Sequence, residues 1–176
     1  MRTATPHPPP RVELIDDSGT PAHGEAIASL LFQAYVQAGF ADRAVAEKIF
    51  APGEVRRRGA VIIAMSAADE AAGMVVCCTS PHNPYRQVAD ADEAEMQLLA
   101  VAPGARERGL GRALCLAFEA RALALGQGKA VLSTQSTMPA AHRLYQALGY
   151  RRNTLRDWSR GDRRFRVFEK ALRAGD

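Results

Sequence analysis

The sequence predicts a domain of the α+β or α/β class, built on a mixed sheet of about seven strands. Short apolar runs that are typical of strands alternate with segments whose apolar residues recur at helical spacing. One segment reads strand, turn, helix, strand, which requires a parallel crossover, whereas other apolar runs are separated by turns short enough for antiparallel hairpins. The 176 residues show no linker or internal repeat and can bury one sizeable core.

The composition predicts a short tail followed by one domain. Residues 1–10 contain four prolines and no apolar stretch, which indicates a disordered tail and not a signal peptide, and residues 11–176 form the domain. No apolar run approaches the roughly 20 residues that span a bilayer, so we expect no membrane association. Cys77, Cys78 and Cys115 lie in apolar runs without metal-ligand spacing, which predicts buried free thiols, a reducing cytoplasm and no metal.

The first half of the chain predicts an edge strand, two helices and a hairpin, followed by a long polar loop at 80–92. In order, these elements are a strand at 11–15, a helix that Thr20 caps with Pro21 in its first turn and that ends near Gly39, a helix that Asp42 caps and Pro52-Gly53 ends, and strands at 60–65 and 73–79. Proline and glycine positions set these boundaries. A loop as long as 80–92 is often functional.

The second half predicts a crossover and a terminal hairpin. In order, its elements are a strand at 94–101, a helix at 110–125, a strand at 129–134, a helix at 140–148 and two long strands at 150–158 and 163–172. Since a helix joins the strands at 94–101 and 129–134, we expect these strands to be parallel neighbours.

The turn at 106–112 is a candidate anion site, because it stands between a strand and a helix. The first amides of a helix have no partner within the helix and lie at its positive end, where a phosphate satisfies them. Gly109 and Gly111 lack the Cβ atoms that would hold a diphosphate away from the backbone. Three arginines of the turn can add charge-assisted contacts: Arg106, Arg108 and Arg112. Alone, such glycines more often mark a simple turn.

Two segments resemble the signatures of the GNAT (GCN5-related) N-acetyltransferases. Residues 94–103 lead through a strand that ends in Val-x-Pro into Arg106, Gly109 and Gly111, which resemble the family's acetyl-CoA motif, Gln/Arg-x-x-Gly-x-Gly/Ala. Residues 141–150, AHRLYQALGY, are similar to the second signature, Ala-x-x-Leu-Tyr-x-x-x-Gly-Phe/Tyr. The two segments have the family's order and spacing, which is the context that a motif requires.

The sequence departs from the family at two positions. Glu107 stands where many members have glycine, and its carboxylate would face a diphosphate. Met138 stands where many members have an asparagine that contacts the pantetheine arm.

The resemblance implies a central mixed, mostly antiparallel sheet, flanked by about four helices and splayed in the middle to hold acyl-CoA. It implies direct transfer of an acetyl group from acetyl-CoA to a primary amine in a ternary complex, without metal. The alternative is a noncatalytic acyl-CoA-binding or regulatory module with the same fold. The residues expected to bind the cofactor are Leu99, Ala100, Val101, Arg106, Glu107, Arg108, Gly109, Leu110, Gly111 and Arg112.

The reaction sets demands on the site. An amine of pKa about 10.4 is roughly one part in a thousand neutral near pH 7, so the site needs a base, an oxyanion donor and an acid. Glu95 matches the family's frequent catalytic glutamate, although it can instead contact a cationic substrate or sit at a solvated strand end. Tyr145 matches the family's tyrosine beside the CoA sulfur, although it can instead be a packing residue. The resemblance places the oxyanion donor at a main-chain N–H in 98–101, where the family's strand splays from its neighbour; a bulge or splay frees such groups.

The acceptor is left open among small-molecule amines, amino acids and peptide termini, and a homodimer is also left open. Glu93, Glu95, Asp90 and Asp92 form one acidic patch in the sequence that would suit a cationic acceptor. The net charge is +4, and several arginines lie in 151–166, where a nucleic-acid patch is the weaker interpretation. Because no aromatic platform or nucleic-acid motif accompanies them, we expect a solvated face and no nucleic-acid partner.

Overall fold

A computed structural model describes residues 13–17 and 22–173. Its strands are β1 Glu13–Asp16, β2 Ala60–Met65, β3 Ala71–Cys78, β4 Glu93–Val101, β5 Lys129–Gln135, β6 Arg151–Arg152, β7 Trp158–Arg160 and β8 Arg163–Ala171. Its α-helices are α1 Gly24–Leu31, α2 Arg43–Ile49, α3 Pro52–Arg57, α4 Leu110–Ala124 and α5 Pro139–Ala147. A π-helical segment, Phe32–Val36, continues α1, and 3₁₀ turns occupy Pro103–Ala105 and Thr154–Arg156.

The strands form one sheet in the order β1-β2-β3-β4-β5-β8-β6, with β7 also paired to β8. Only β4 and β5 are parallel in the described part of the chain; the other pairs are antiparallel. The predicted mixed, mostly antiparallel sheet is therefore confirmed. Within residues 13–17 and 22–173 it has eight strands and five α-helices, one more of each than predicted.

The predicted crossover through α4 is confirmed, and it opens the sheet. β4 and β5 pair from Glu93 opposite Lys129 to Met96 opposite Leu132. Beyond Met96 and Leu132 the two strands no longer pair with each other, although β4 continues to Val101 and β5 to Gln135. The two strands therefore splay, and one edge of each is left open toward the gap.

Two apolar cores pack on opposite faces of the sheet, because successive side chains of a strand point to opposite faces. Val61 and Ile63 of β2 join the core under α1, α2 and α3. Ile62 and Ala64 join the core under α4 and α5, where Phe118 is completely buried. Truncating such an aromatic side chain typically costs about 3–5 kcal/mol of unfolding free energy. This rigid frame fixes both walls of the gap between β4 and β5.

The first helix begins later than predicted. Thr20 and Pro21, the predicted cap and first residue, lie outside the described residues, as do residues 11–12 of the first strand and the whole predicted tail at 1–10. The helix begins at Gly24, because Asp17 holds the residues before it. The Asp17 Oδ1 atom accepts a hydrogen bond from the Ala22 amide at 3.1 Å and lies 2.8 Å from His23 Nδ1.

The predicted end of the second helix at Pro52-Gly53 is a few residues too late, and a further helix begins there that the sequence does not predict. α2 ends at Ile49, and Pro52 is the first residue of α3. Proline is favoured at the first helical position, because an N–H at that position would have no hydrogen-bond partner within the helix. α3 matters for the site because Arg58 directly follows it.

The first arm of the terminal hairpin is not one long strand. It is divided into β6 and β7 by the 3₁₀ turn, which polar side chains hold. Asn153 Oδ1 accepts from the Leu155 amide at 3.2 Å, and Asp157 Oδ1 accepts from the Val167 amide of β8 at 3.0 Å. These bonds replace ladder hydrogen bonds, which a polar–apolar alternation does not reveal.

The three cysteines are buried and free, as predicted. Burial raises the pKa of the Cys77 and Cys115 thiols to about 12, so they stay protonated and unreactive. In the described residues no helix has the length and apolar composition of a membrane span.

Candidate active site

The turn at 106–112 faces solvent and carries unpaired cationic side chains. Arg106, Arg108 and Arg112 are exposed and form no ion pair with the described residues. α4 begins at Leu110, and neither a capping side chain nor an acidic residue occupies its first turn. The amides of that turn and the three arginines therefore meet at one surface, which suits a diphosphate.

The two glycines of the turn have different roles. Gly109 has φ +78° and nothing within 4 Å of an added Cβ, so it supplies the left-handed backbone that begins α4. A Cβ at Gly111 would lie 3.1 Å from Leu144 Cδ2 of α5. The Leu144 side chain of the second signature segment therefore packs close to where a Cβ at Gly111 would lie. The absence of a Cβ at Gly111 thus allows the two segments to pack closely.

Glu107 also adopts a left-handed backbone, with φ +62°. That conformation is costly for residues with a Cβ, which gives a physical reason for the glycine that many GNAT members have here. The Glu107 side chain is exposed and has no ion-pair partner among the described residues. Its charge is therefore free to repel an anion at the turn.

A bulge interrupts β4 where the sheet splays. Val76 pairs with Gln97 and Met74 with Ala100, so β4 has one more residue than β3 between these pairs. Leu98 has φ +50°, a rare conformation that native structures keep mainly at functional sites. The bulge lies within the segment 98–101 that the sequence predicts to hold the oxyanion donor.

Tyr145 projects from α5 into a cavity at the splay. The cavity has a volume of about 450 Å³ and is referred to below as the acceptor cavity. The Tyr145 side chain is 6% exposed, and none of the described residues hydrogen-bonds its hydroxyl. Burial raises the pKa of Tyr145 well above its ordinary value, so the hydroxyl keeps its proton.

The walls of the acceptor cavity come from both halves of the chain. Aromatic and aliphatic side chains make up much of its lining: Tyr35, Phe40, Val45, Ile49, Phe50, Leu98, Leu99, Met138, Trp158 and Phe165. Polar side chains also line it: Arg58, Gln87, Gln97, Ser133, Thr134, Gln135 and Arg160. Tyr35 projects from the π-helical segment and donates a hydrogen bond to the Leu99 carbonyl at 3.1 Å, so it braces the bulge.

Glu95 does not line the cavity; it holds the loop at 80–92. Its carboxylate is 1% exposed, and Oε2 accepts three main-chain hydrogen bonds, from Gln87 at 2.9 Å, Val88 at 3.1 Å and Ala89 at 3.0 Å. Oε1 accepts a hydrogen bond from Gln97 Nε2 at 2.8 Å. Since a carboxylate offers about four acceptor positions, these donors occupy it fully. The carboxylate fixes the loop that carries Gln87 into the acceptor cavity.

The predicted acidic patch does not form. Glu93 is buried, and its carboxylate is paired with Arg156 and Lys129. Glu95 is buried under the loop. Only Asp90 and Asp92 of that set are exposed, so there is no cluster to attract a cationic acceptor.

Three hydrogen bonds tie the two sides of the acceptor cavity together. The Phe40 carbonyl, between α1 and α2, accepts from Gln135 Nε2 at 2.8 Å and from Arg163 Nη1 at 2.7 Å. Arg163 Nη2 also lies 2.8 Å from Asp42 Oδ2. We refer to Phe40, Asp42, Gln135 and Arg163 as the clasp. It joins the helical layer to β5 and β8.

Several lining residues were not singled out from the sequence, among them Tyr35, Arg58 and Trp158. No local pattern marks them, because each reaches the cavity through contacts with distant elements. The arginines of 151–166 are partly paired with carboxylates, as Arg152 is with Asp157 and Arg156 with Glu93. In the described residues there is no group of three or more His, Cys, Asp and Glu side chains placed to hold a metal.

The comparisons with known proteins agree with this geometry. The sequence profile of the acetyltransferase (GNAT) family matches residues 24–150. An acetyltransferase from Streptococcus agalactiae 2603 is 20% identical with a TM-score of 0.69, covering 92% of this chain and 98% of that one. A GCN5-related N-acetyltransferase from Kribbella flavida is 21% identical with a TM-score of 0.67, covering 92% and 98%.

The ribosomal-protein-S18-alanine N-acetyltransferase from Escherichia coli has a TM-score of 0.66 at 19% identity, covering 94% of this chain and 96% of that one. At such identities the likeness is one of fold. No curated protein matches the sequence.

Proposed function

The chain belongs to the GNAT acetyltransferase family, and from this premise we propose that it transfers an acetyl group from acetyl-CoA to a primary amine. The proposal rests chiefly on one observation: the acceptor cavity opens at the splay between β4 and β5, with Tyr145 in its wall. The reaction is a direct attack in a ternary complex, so both substrates need a place at the same time. The gap and the cavity offer these two places.

The cofactor takes its place along the open edge of β4. The turn at 106–112 binds the diphosphate through the amides that begin α4 and through Arg106, Arg108 and Arg112. The pantetheine arm lies along Leu99–Val101, whose edge toward β5 no described strand occupies, and its amides pair there as an extra strand would. The thioester then lies at the bulge.

The chemistry forms a C–N bond and breaks a C–S bond. The amine nitrogen attacks the thioester carbonyl, and a main-chain N–H of 98–101 stabilises the oxyanion. The departing thiolate takes the proton of the Tyr145 hydroxyl, which solvent then replaces. Although burial raises the pKa of Tyr145, the thiolate in the same cavity is also desolvated, which raises its proton affinity.

We propose that Glu95 takes the amine proton through a water, which must replace one of the present donors to its carboxylate, such as the Gln97 amide. Its hydrogen bonds to the loop favour a second role, in which it positions Gln87 and takes no proton. The two roles differ in kinetics, because a base controls the pH dependence of kcat whereas an anchor does not. The assignment of Glu95 therefore remains a prediction that kinetics can decide.

The test is thiol release from acetyl-CoA with a panel of amines, together with calorimetric binding of CoA. We expect turnover with at least one amine and loss of most of that turnover in Tyr145→Phe, with CoA affinity unchanged. CoA binding without thiol release for any amine would instead favour the noncatalytic acyl-CoA-binding module.

A further inference from the structure

Arg58 faces the acceptor cavity without a carboxylate partner. The other half-buried arginines of the described chain each contact a carboxylate or several main-chain carbonyls. Five are paired with carboxylates: Arg56, Arg121, Arg152, Arg156 and Arg163. Arg86 donates to main-chain carbonyls of Ser80, Asp90 and Glu93. Arg58 has only the Gln97 side-chain oxygen, 3.4 Å from Nη1.

The surroundings of Arg58 make its charge costly unless an anion is present. Its Nε atom is buried and has no acceptor among the described residues; the same holds for Arg56, Arg86 and Arg121, but their Nη atoms have carboxylate or carbonyl partners. Its guanidinium lies 5.3 Å from the centre of the Tyr85 ring, which holds its orientation. Burial lowers the pKa of Arg58, Tyr85 and Glu54 oppose that shift, and the charge of Arg160 adds to it. Arg58 and Arg160 both line the acceptor cavity, so two positive charges share its wall.

Arg160 is the second of these charges, and an aromatic pair supports it. Its guanidinium lies 5.1 Å from the Trp158 ring centre, and that ring is stacked on Phe165 with centroids 4.1 Å apart. No described carboxylate forms an ion pair with Arg160. All of these side chains line the acceptor cavity.

The acidic residues of the cavity do not neutralise this pair. Asp42 is held by Arg163 in the clasp at 2.8 Å. Asp162 lies in the exposed turn between β7 and β8. An anionic group is thus missing from the wall that Arg58 and Arg160 form, whereas Phe50, Ile49 and Val45 offer an apolar surface elsewhere in the cavity.

We propose that the acceptor is an amino carboxylate with an apolar side chain, whose carboxylate is bound by Arg58 and Arg160. This inference rests on the proposed function, because the amine of the same molecule is the group that is acetylated. Gln97, which contacts Arg58, directly precedes the bulge residue Leu98, so a carboxylate on Arg58 keeps a neighbouring amine near the expected thioester. The guanidinium fork matches a carboxylate better than an ammonium would.

The first experiment measures binding, so that it does not depend on turnover. L-leucine and L-leucinamide are titrated by calorimetry into the protein saturated with CoA; the two differ mainly in the carboxylate. We expect leucine to bind about tenfold to a hundredfold more tightly than leucinamide. This ratio corresponds to the usual free energy of hydrogen bonds to charged groups. An amino phosphonate of the same side chain and a polyamine complete the panel.

The variants assign the preference to Arg58. The ratio of the two affinities should fall toward unity in Arg58→Gln and partly recover in Arg58→Lys, which keeps the charge but not the fork. The ratio cancels differences between the two amines themselves. Arg164→Gln is the matched control, because Arg164 is exposed on β8 outside the acceptor cavity and should leave the ratio unchanged.

The outcomes separate this inference from the proposed function. Equal affinity for leucine and leucinamide, tighter binding of the phosphonate or polyamine, no binding of leucine, or a preference that survives Arg58→Gln would each overturn the inference. Acetylation of neutral amines in the same panel would then leave the proposed function intact. If leucine binds through Arg58 but no amine is acetylated, the proposed function fails and the carboxylate site stands.

Discussion

Arg156 holds Glu93 through both ends of its guanidinium, with Nη2 2.7 Å from Oε2 and Nη1 3.0 Å from Oε1. Lys129 of β5 adds a contact of 3.0 Å to Oε1. Glu93 is the first residue of β4 and pairs with Lys129, the first residue of β5. These charges therefore fasten the parallel strands at the closed end of the splay.

This cluster predicts a loss of stability in acid. Burial raises the pKa of Glu93, but its bonds to Arg156 and Lys129 prevail and lower that pKa from 4.5 to about 2. Its contribution is therefore complete above pH 4.5 and is lost as the pH falls toward about 2. Glu93→Gln should cost roughly 3 kcal/mol at pH 7, or roughly 6–12 °C in Tm, and flatten this acid limb.

The measurement is thermal unfolding of wild type and variant from pH 7 to pH 2. Glu47→Gln is the control, since Glu47 is exposed on α2 and forms no ion pair with the described residues. An acid limb that is identical in Glu93→Gln and wild type would contradict the assignment.

Tyr145→Phe tests the proposed acid. Removing the hydroxyl should lower kcat by about 10²- to 10⁴-fold, the usual contribution of a general acid, while leaving CoA affinity and Tm nearly unchanged. Tyr35→Phe is the comparison, since Tyr35 donates to the Leu99 carbonyl and burial raises its pKa to about 12. A kcat for Tyr145→Phe within twofold of wild type would remove this residue from the mechanism.

Glu95→Gln distinguishes the two roles of Glu95. As a base, Glu95 would give an acidic limb in the profile of kcat against pH that disappears in the variant, along with most of kcat. As an anchor, it would leave that limb in place, and the variant would instead raise KM for the amine, because Gln87 is no longer held at the cavity. Steady-state kinetics across pH 5–9 decide between these results.

Glu107→Gly should improve cofactor binding. The change removes a left-handed non-glycine residue and a negative charge from the turn. The relieved strain is worth about 1–2 kcal/mol, so both Tm and CoA affinity should rise. Glu107→Gln removes only the charge and should raise CoA affinity without raising Tm. Weaker CoA binding in both variants would mean that the carboxylate assists the turn.

Gly111→Ala should couple to Leu144. The new Cβ would lie 3.1 Å from Leu144 Cδ2, so the end of the Leu144 side chain must give by a few tenths of an ångström, and both Tm and CoA affinity should fall slightly. Adding Leu144→Ala makes room, and the double variant should recover CoA affinity relative to Gly111→Ala alone. Additive losses in the double-mutant cycle would show that Gly111 does not join the two segments.

The local pattern of the chain was enough to predict much of the fold. β4, α4 and β5 were placed to within a residue or two, because an apolar strand, glycines and helical spacing follow one another without interruption. The sequence did not reveal that Pro52 begins a helix, because a proline can either follow the end of one helix or occupy the first position of the next. The break at Thr154–Arg156 was missed because its cause, Asp157 bonded to β8, lies in another strand.

Of the candidate site, the sequence predicts the main-chain features but not which side chains reach the cavity. The bulge at Leu98 follows from the resemblance, but Arg58 stands in a run of three arginines that the sequence cannot tell apart. Arg56 meets Asp17, Arg57 meets Glu54, and Arg58 alone turns toward the acceptor cavity. These pairings depend on tertiary contacts that no local periodicity encodes.

The clasp has a consequence for how activity arises during synthesis of the chain. Its bonds from Gln135 and Arg163 to Phe40 join residues 95 and 123 positions apart. A nascent chain that ends before β8 already carries the turn at 106–112, and it lacks one side of the acceptor cavity. Arg163 and Phe165 of β8 supply part of the lining of the acceptor cavity, so that cavity is completed only after β8 has been translated.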